Sequence, residues 1–416
     1  MSPAIFFDLL FYTVSHTEQC SLSYMVSVLS SEFGIHIKKQ SLHERFTEKS
    51  VVYVKLVLSE VLSEQFASLY SNALLPDFMR IRIKDSTKFK VPSSLSANYK
   101  SCGGGDASIS IQYEYDLKSG KIIDLNITSG NRNDRTDAEE TSADVASGDL
   151  MIRDLGYFST KVLEKWMKEG AFFLSRLDCS TLVYDDAGNK VSFGHIFRSM
   201  KKNGMTEKEI CVYIGEKRRV PVRLILQLVP EQVYEKRIRE KTQKSKGQGR
   251  GQLKEETKIR CRLNLFITNV DETILPGKQI FPLYRLRWQI ELHFKVWKSV
   301  FKINTLHQMK EHRYITLLYI KLILLMINLQ IIYSVQQSLV QPKKEQIKVI
   351  SLNKSLKTLK TRFHQIFAIF RGTVRKAKEI AEGLQKRLLQ NHWLESKKKK
   401  LCLPEILTLL IGVSEK

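Results

Sequence analysis

The stretch ASISIQYEYDLKSGKIIDLNIT, Ala107 to Thr128, decides the fold class. Apolar side chains alternate with polar ones through Ile109, Ile111, Tyr113 and Tyr115, and again through Ile123, Leu125 and Ile127. Two period-two runs meeting at Lys118-Ser119-Gly120 predict an antiparallel hairpin. Upstream, FMRIRIKDSTKF (Phe78 to Phe89) alternates in the same way. Downstream, DLMIRDLGYF (149–158) reads as a third strand, STKVLEKWMKEG as a helix closed by Gly170, and AFFLSRL as a short buried strand. Strands with interspersed helices give an α/β core.

Five segments follow from the pattern on either side. Residues 1–75 carry apolar positions at helical spacing and form a helical module. Residues 76–177 are the first part of the core. Residues 178–280 are strand-rich again, through KEICVYIGEKRRVPVRLILQLVP and LNLFITNV. Between these runs lies YEKRIREKTQKSKGQGRGQLKEETKIRCR (234–262), basic and dotted with glycine, which reads as a mobile arm or hairpin tip against DNA phosphates, or as a solvated charge run. Residues 281–335 return to the core with helices, and 336–416 form a helical, basic C-terminal module with four lysines at 397–400.

The chain has 416 residues, enough for two or three folded units. At 43% hydrophobic residues it can bury a core, which excludes wholesale disorder. Lysine and arginine number 67 against 43 acids, a net charge of +24 that favours a polyanionic partner. Six cysteines are scattered without a CxxC pair, which excludes a disulfide framework and a zinc cluster and suits a reducing, cytoplasmic compartment. The N-terminal apolar run has no basic residues ahead of it and does not read as a signal peptide. Leu317 to Tyr333 is apolar enough to suggest a membrane span, but Lys321, Asn328 and Gln330 interrupt it, so a buried helix is expected and no membrane partner.

Two carboxylates draw the eye because strand parity turns them inward. Met79, Ile81 and Ile83 share a strand face with Asp85 at the strand's end, and Leu150 and Ile152 share one with Asp154. A buried carboxylate is costly unless paired or bound to a metal, so these acids either meet basic partners or jointly hold a cation. The third element is YRLRWQIELHFKVWKS (284–299). Read as one helix at about 100° per residue, Tyr284, Arg287, Glu291, Lys295 and Lys298 fall on a stripe roughly 80° wide, beside an apolar arc of Leu283, Leu286, Ile290, Phe294, Trp297 and Phe301. Pairs four residues apart occur on any solvated helix. One acid flanked by a phenol and three cations equally suits a metal-bound phosphodiester. His293, His307 and His312 lie near the glutamate without metal-ligand spacing, and Trp288, Trp297, Tyr113 and Tyr115 are expected in the core.

Tyr284, Arg287, Glu291 and Lys298 reproduce a Y-x2-R-x3-E-x6-K signature, Asp85 lies in the Asp-x-Thr setting of KDSTKFKVP, and Asp154 in the Asp-x-Gly-Tyr setting of RDLGYFS. In these motifs and their order the sequence, from about residue 20 to about residue 335, resembles the insertion-sequence-4 family of DDE transposases. The resemblance implies an RNase H-like core interrupted by a β-rich insertion. It further implies Asp85, Asp154 and Glu291 as catalytic ligands of two Mg²⁺ ions, with Mn²⁺ as a substitute. Arg176, Tyr284, Arg287, Lys295 and Lys298 become contacts to double-stranded DNA, both terminal inverted repeats and target DNA, within a homodimer near the bacterial nucleoid. The expected cycle is nicking, hairpin formation, hairpin opening and strand transfer. Where the family often places a base-stacking tryptophan, this chain has Leu263, with Phe266 as a weak substitute. Two competing readings remain: an RNase H-like nuclease that cuts without joining, and a noncatalytic DNA-binding relic.

Overall fold

A computed structural model describes residues 1–16, 20–65, 74–103, 106–140, 144–178, 181–216, 219–247, 252–339, 348–371, 373–395 and 403–411. In chain order the helices are α1 (Pro3–His16), α2 (Leu22–Phe33), α3 (Lys39–His43), α4 (Glu48–Ser63), α5 (Asp134–Glu140), α6 (Thr160–Lys168), α7 (Phe193–Lys202), α8 (Glu231–Gly247), α9 (Glu255–Cys261), α10 (Gly277–Arg285), α11 (Trp288–Ser299), α12 (Glu311–Gln337), α13 (Leu352–Thr361), α14 (Phe363–Arg371), α15 (Val374–Asn391) and α16 (Leu403–Ile411). The strands are β1 (Arg80–Lys90), β2 (Ser108–Asp116), β3 (Ile122–Ser129), β4 (Asp149–Arg153), β5 (Phe172–Arg176), β6 (Val183–Tyr184), β7 (Glu207–Ile214), β8 (Val220–Leu228) and β9 (Leu263–Thr268). The α/β class expected from the sequence is thus observed.

The chain forms two compact units. One comprises Met1–Pro76, Lys84–Arg132 and Trp288–Lys416, and the other Asp77–Ile83 and Asn133–Arg287. In the first unit the strand order is β3-β2-β1, with β2 and β3 antiparallel as the alternation requires. Gly120 closes that hairpin at φ 75°, a left-handed conformation that costs glycine nothing. The polar face of β2 is not solvated: Ser110, Gln112 and Glu114 are buried along with the apolar face. α12 is the spine of this unit and packs against α4 and α1. It is buried nearly all round, as expected, and the nitrogens of its polar residues Lys321, Asn328 and Gln330 have internal acceptors. Gln330 Nε2 donates to Gln65 Oε1 at 3.1 Å, and the same Gln65 exchanges hydrogen bonds of 2.7 and 2.9 Å with the Ile122 backbone. Lys321 Nζ donates to the Lys302 carbonyl at 2.8 Å.

In the second unit the order is β1-β4-β5-β9-β8-β7-β6. The β4–β5 pair is parallel, crossed over through α6, whose end is closed by Gly170 at φ 74°. The strand-rich region after residue 178 continues this unit, since β9 pairs antiparallel with both β5 and β8. Its core gathers Met151, Trp166, Phe173, Phe193, Leu224 and Leu265.

Several expectations are corrected. Within the basic stretch 234–262 the residues of α8 up to Gly247 and those of α9 (Glu255–Cys261) are helical, where the sequence suggests a mobile arm or hairpin tip; residues 248–251 lie outside the described residues. Arg237 holds α8 down by donating to the carbonyls of Cys261 and Leu263 at 3.3 and 3.1 Å and to Asn264 Oδ1 at 2.6 Å. Met79 is 65% exposed because it precedes β1, and Trp288 is 58% exposed at the start of α11, whereas Trp297, Tyr113 and Tyr115 are core residues as expected. The lysines at 397–400 lie outside the described residues.

Candidate active site

Asp85 does not end its strand: β1 runs five residues further, to Lys90. On its face of the strand Ile81 and Ile83 are fully buried, Asp85 is half-buried and Thr87 is buried again, so the carboxylate is partly open within an otherwise buried row. Oδ1 accepts from the Ser86 amide at 2.8 Å. The preceding Lys84 points to the opposite face by the strand's alternation. Its ammonium is fully buried and is answered by Asp124 at 2.9 Å and Glu114 at 3.9 Å. That cation therefore has its own acids and is not the partner the parity argument sought for Asp85.

Glu291 lies in the first turn of α11 and is half-buried. Ile290, Phe294 and Trp297 anchor the helix, with Trp297 edge-on to Tyr113 at 4.7 Å between ring centroids. Lys295 is exposed. Lys298 is half-buried, donates to the Lys88 carbonyl at 3.1 Å, and has its pKa lowered by that burial. Two residues after the glutamate, His293 is buried with Nδ1 3.3 Å from the Tyr113 hydroxyl, and burial pulls its pKa down to about 4. It is therefore neutral at pH 7 and supplies no charge to a phosphate.

The single helix expected over 284–299 does not exist. α10 ends at Arg285 and α11 starts at Trp288. The chain between them tightens through bonds three residues back, Leu286 N to Leu283 O at 3.0 Å and Arg287 N to Tyr284 O at 3.1 Å, a 3₁₀ geometry. The five-residue stripe is thus divided: Glu291, Lys295 and Lys298 keep a common face on α11, while Tyr284 and Arg287 belong to the other unit.

There they join two further expected residues. Asp154 follows β4 and begins a 3₁₀ turn at Leu155–Tyr157, with its side chain 45% exposed and Arg287 Nε 3.7 Å from Oδ1. Tyr284 is buried, and its hydroxyl donates a long 3.5 Å bond to the Arg153 carbonyl. Burial pushes the phenol up to about 12, Arg287 and Arg176 pull it down, and the Asp154 carboxylate pushes it up. Arg176 ends β5 with an exposed side chain. The second unit thereby gathers Asp154, Arg176, Tyr284 and Arg287, and the first carries Asp85, Glu291, Lys295 and Lys298. Among the described residues, no group of three His, Cys, Asp or Glu side chains is placed to hold a metal ion.

Leu263 is buried in β9 opposite Leu228. Phe266 is buried too, with its ring 5.2 Å from Tyr284 and 6.1 Å from Phe281, so neither offers a face to a base. A cluster with no sequence signal lies just behind Asp154. The fully buried Asp149 accepts from Arg80 at 2.7 and 2.5 Å, from Arg82 at 3.2 Å and from the Ala146 amide at 3.0 Å. It fixes the start of the strand that delivers Asp154.

The family profile described as "Transposase DDE domain" matches residues 76–327. The transposase for insertion sequence element IS231F of Bacillus thuringiensis subsp. israelensis is 34% identical over 342 residues, covering 78% of this chain and 72% of its own. The IS231B transposase of Bacillus thuringiensis subsp. berliner is 32% identical, over 80% of this chain and 73% of its own. The IS1151 transposase of Clostridium perfringens is 30% identical, over 84% and 78%. With the match spanning the strands and helices that carry Asp85, Asp154 and Glu291, the chain belongs to the DDE transposases of bacterial insertion sequences.

Proposed function

We propose that this transposase excises and integrates its insertion sequence with Asp85, Asp154 and Glu291 as the carboxylates that hold two divalent cations, Mg²⁺ or Mn²⁺. The observation that carries the reading is the grouping of Asp154, Arg176, Tyr284 and Arg287, which come from separate stretches of sequence and meet in one unit. The donor set fits: carboxylate oxygens suit a hard cation. The 3.7 Å link from Asp154 to Arg287 is longer than a hydrogen bond and half-exposed, so it can give way to an ion. When bound, such a pair of ions lowers the pKa of a water and stabilises the oxygen leaving phosphorus.

The chain's own residues do the rest. Arg176, Arg287, Lys295 and Lys298 are cations suited to backbone phosphates at the element's end. Tyr284, with its pKa at about 12, keeps its proton at neutral pH and donates to a phosphate oxygen. The antiparallel β2–β3 hairpin of the first unit and the parallel β4–β5 pair of the second each support an RNase H-like core. In each step one P–O bond forms and one breaks. Water cuts the element's end and frees a 3′-hydroxyl, that hydroxyl attacks the opposite strand to close a hairpin, a second water opens it, and the hydroxyl then attacks target DNA. A homodimer on paired terminal inverted repeats, at the nucleoid in the cytoplasm, completes the proposal.

The test supplies purified protein with paired terminal-repeat DNA, Mg²⁺ and a target plasmid. Joined product is expected. Cut ends alone would favour a nuclease, and a bound but uncut complex a relic.

A further inference from the structure

Tyr284 and Arg287 reach Asp154 from the end of α10, so whatever fixes the start of that helix governs the site. α10 lies on one face of the second unit's sheet. Phe266 stands opposite Ile225 of β8 and Arg176 of β5, Thr268 stands opposite Arg223, and the rings of Phe281 and Tyr284 neighbour Phe266. Residues directly opposite across a ladder share a face, so Arg223 belongs to the face that α10 covers.

There Arg223 takes three acceptors at once. Its Nε donates to Glu209 Oε1, its Nη1 donates to the Val270 carbonyl, and both Nη1 and Nη2 reach the Leu275 carbonyl at 3.2 Å. Val270 and Leu275 bracket the turn that leads from β9 into α10, and both are fully buried. Glu207 lies two residues before Glu209 in β7 and on the same face. The two carboxylates close on Gly277, the first residue of α10: a Cβ placed there would stand 2.6 Å from Glu207 Oε1 and 3.1 Å from Glu209 Oε2. Negative charge at a helix N-terminus is favourable. Bonded inward and 10% exposed, the Arg223 side chain is not itself a phosphate contact.

From Gly277 to Tyr284 is about 10 Å of helix, short enough to move as a rod, so a shift at the first turn is carried to Tyr284 and Arg287. Misplacement by about 1 Å can cost roughly 100-fold in rate. Resting on the assignment of Asp154, Tyr284 and Arg287 to the site, we propose that Arg223, paired with Glu209, is a positioning residue for DNA cleavage. It clamps the β9–α10 turn to the sheet and so presents Tyr284 and Arg287 beside Asp154. The planar guanidinium fork spans the carboxylate and both carbonyls; the point charge of a lysine does not.

The experiment pairs hydrogen exchange of the DNA-free full chain with single-turnover cleavage of saturating terminal-repeat DNA, for wild type, Arg223→Lys and Glu209→Gln. In Arg223→Lys the α10 amides should exchange at least about tenfold faster, the effect of losing one hydrogen bond to a charged group, while the α6 amides keep their wild-type rates. Cleavage should slow at least about tenfold, with end affinity in a mobility shift held within about threefold. Glu209→Gln keeps an acceptor for Nε and should fall between wild type and Arg223→Lys in both measurements. A merely structural role would speed exchange throughout the second unit and leave the cleavage rate per folded molecule unchanged. That result overturns the proposal, as does unaltered α10 exchange. Should Arg223→Lys fail to fold, Glu209→Gln decides by the same two measurements. Exchange needs no catalysis: a wild type that binds ends without cutting them would contradict the cleavage reading, and the exchange of α10 would still decide the clamp.

Discussion

Asp149→Asn keeps the shape of the buried carboxylate and removes its charge. In the wild type it answers two guanidinium groups, Arg80 at 31% side-chain exposure and Arg82 at 1%. Breaking one partner out of a buried ion pair costs about 3–5 kcal/mol. The lower end applies here, because Arg80 can turn to water and Arg82 retains the Asp144 carbonyl at 2.7 Å. About 3 kcal/mol corresponds to roughly 100- to 200-fold in the opening equilibrium of the strand. Hydrogen exchange of the β4 amides reads that constant directly, and their exchange should accelerate by this factor. Adding Arg82→Met removes the stranded cation and should recover part of the loss. Acceleration of less than about fivefold, or a double variant worse than the single, would refute the claim that this charge pair secures β4.

Asp85→Asn, Asp154→Asn and Glu291→Gln should each abolish cleavage of terminal-repeat DNA while leaving the mobility-shift affinity for that DNA nearly unchanged. Wild-type cleavage in any one of them removes that residue from the site. Lys298→Ala and Lys295→Ala should each flatten the salt dependence of end binding by about 0.9 in the log–log slope, the share of one phosphate contact; parallel plots would exclude such a contact. Tyr314 on α12 is 1% exposed, and burial raises its pKa from 10.0 to about 12. The unfolded phenol ionises first, so the stabilisation is whole below pH 10 and is lost as pH rises towards 12. Over that window wild type should lose about 2–3 kcal/mol more than Tyr314→Phe in denaturant titrations, and equal losses would contradict the assignment.

Local pattern made much of this molecule legible. Period-two alternation located β2 and β3, Gly120 and Gly170 marked a turn and a helix end, and polar interruptions in Leu317 to Tyr333 marked a buried helix instead of a span. Burial on both faces of a strand was not legible. Arg82, Lys84 and Glu114 alternate with apolar residues as a solvated face would, and their burial is answered by partners remote in sequence, Asp149 for Arg82, Asp124 and Glu114 for Lys84. The break at Leu286–Arg287 was hidden as well, since neither glycine nor proline stands there and helical periodicity runs straight through it. Motif reading survived that error. Tyr284 and Arg287 meet Asp154 through a tight turn, a contact no helical wheel displays. The helical part of the basic stretch was not legible either, since its charge gives no helical stripe and what fixes it is Arg237, which ties α8 to the backbone carbonyls of Cys261 and Leu263 and to the Asn264 side chain.

Crystals of the protein bound to its terminal-repeat DNA, grown with Mn²⁺ and measured at the manganese absorption edge, test the assignment of the three acids most directly. Two anomalous peaks ligated by Asp85, Asp154 and Glu291 at the phosphodiester to be cut are the predicted result. Peaks held by other side chains, or these three carboxylates bound to arginine and lysine with the DNA in place, would contradict it.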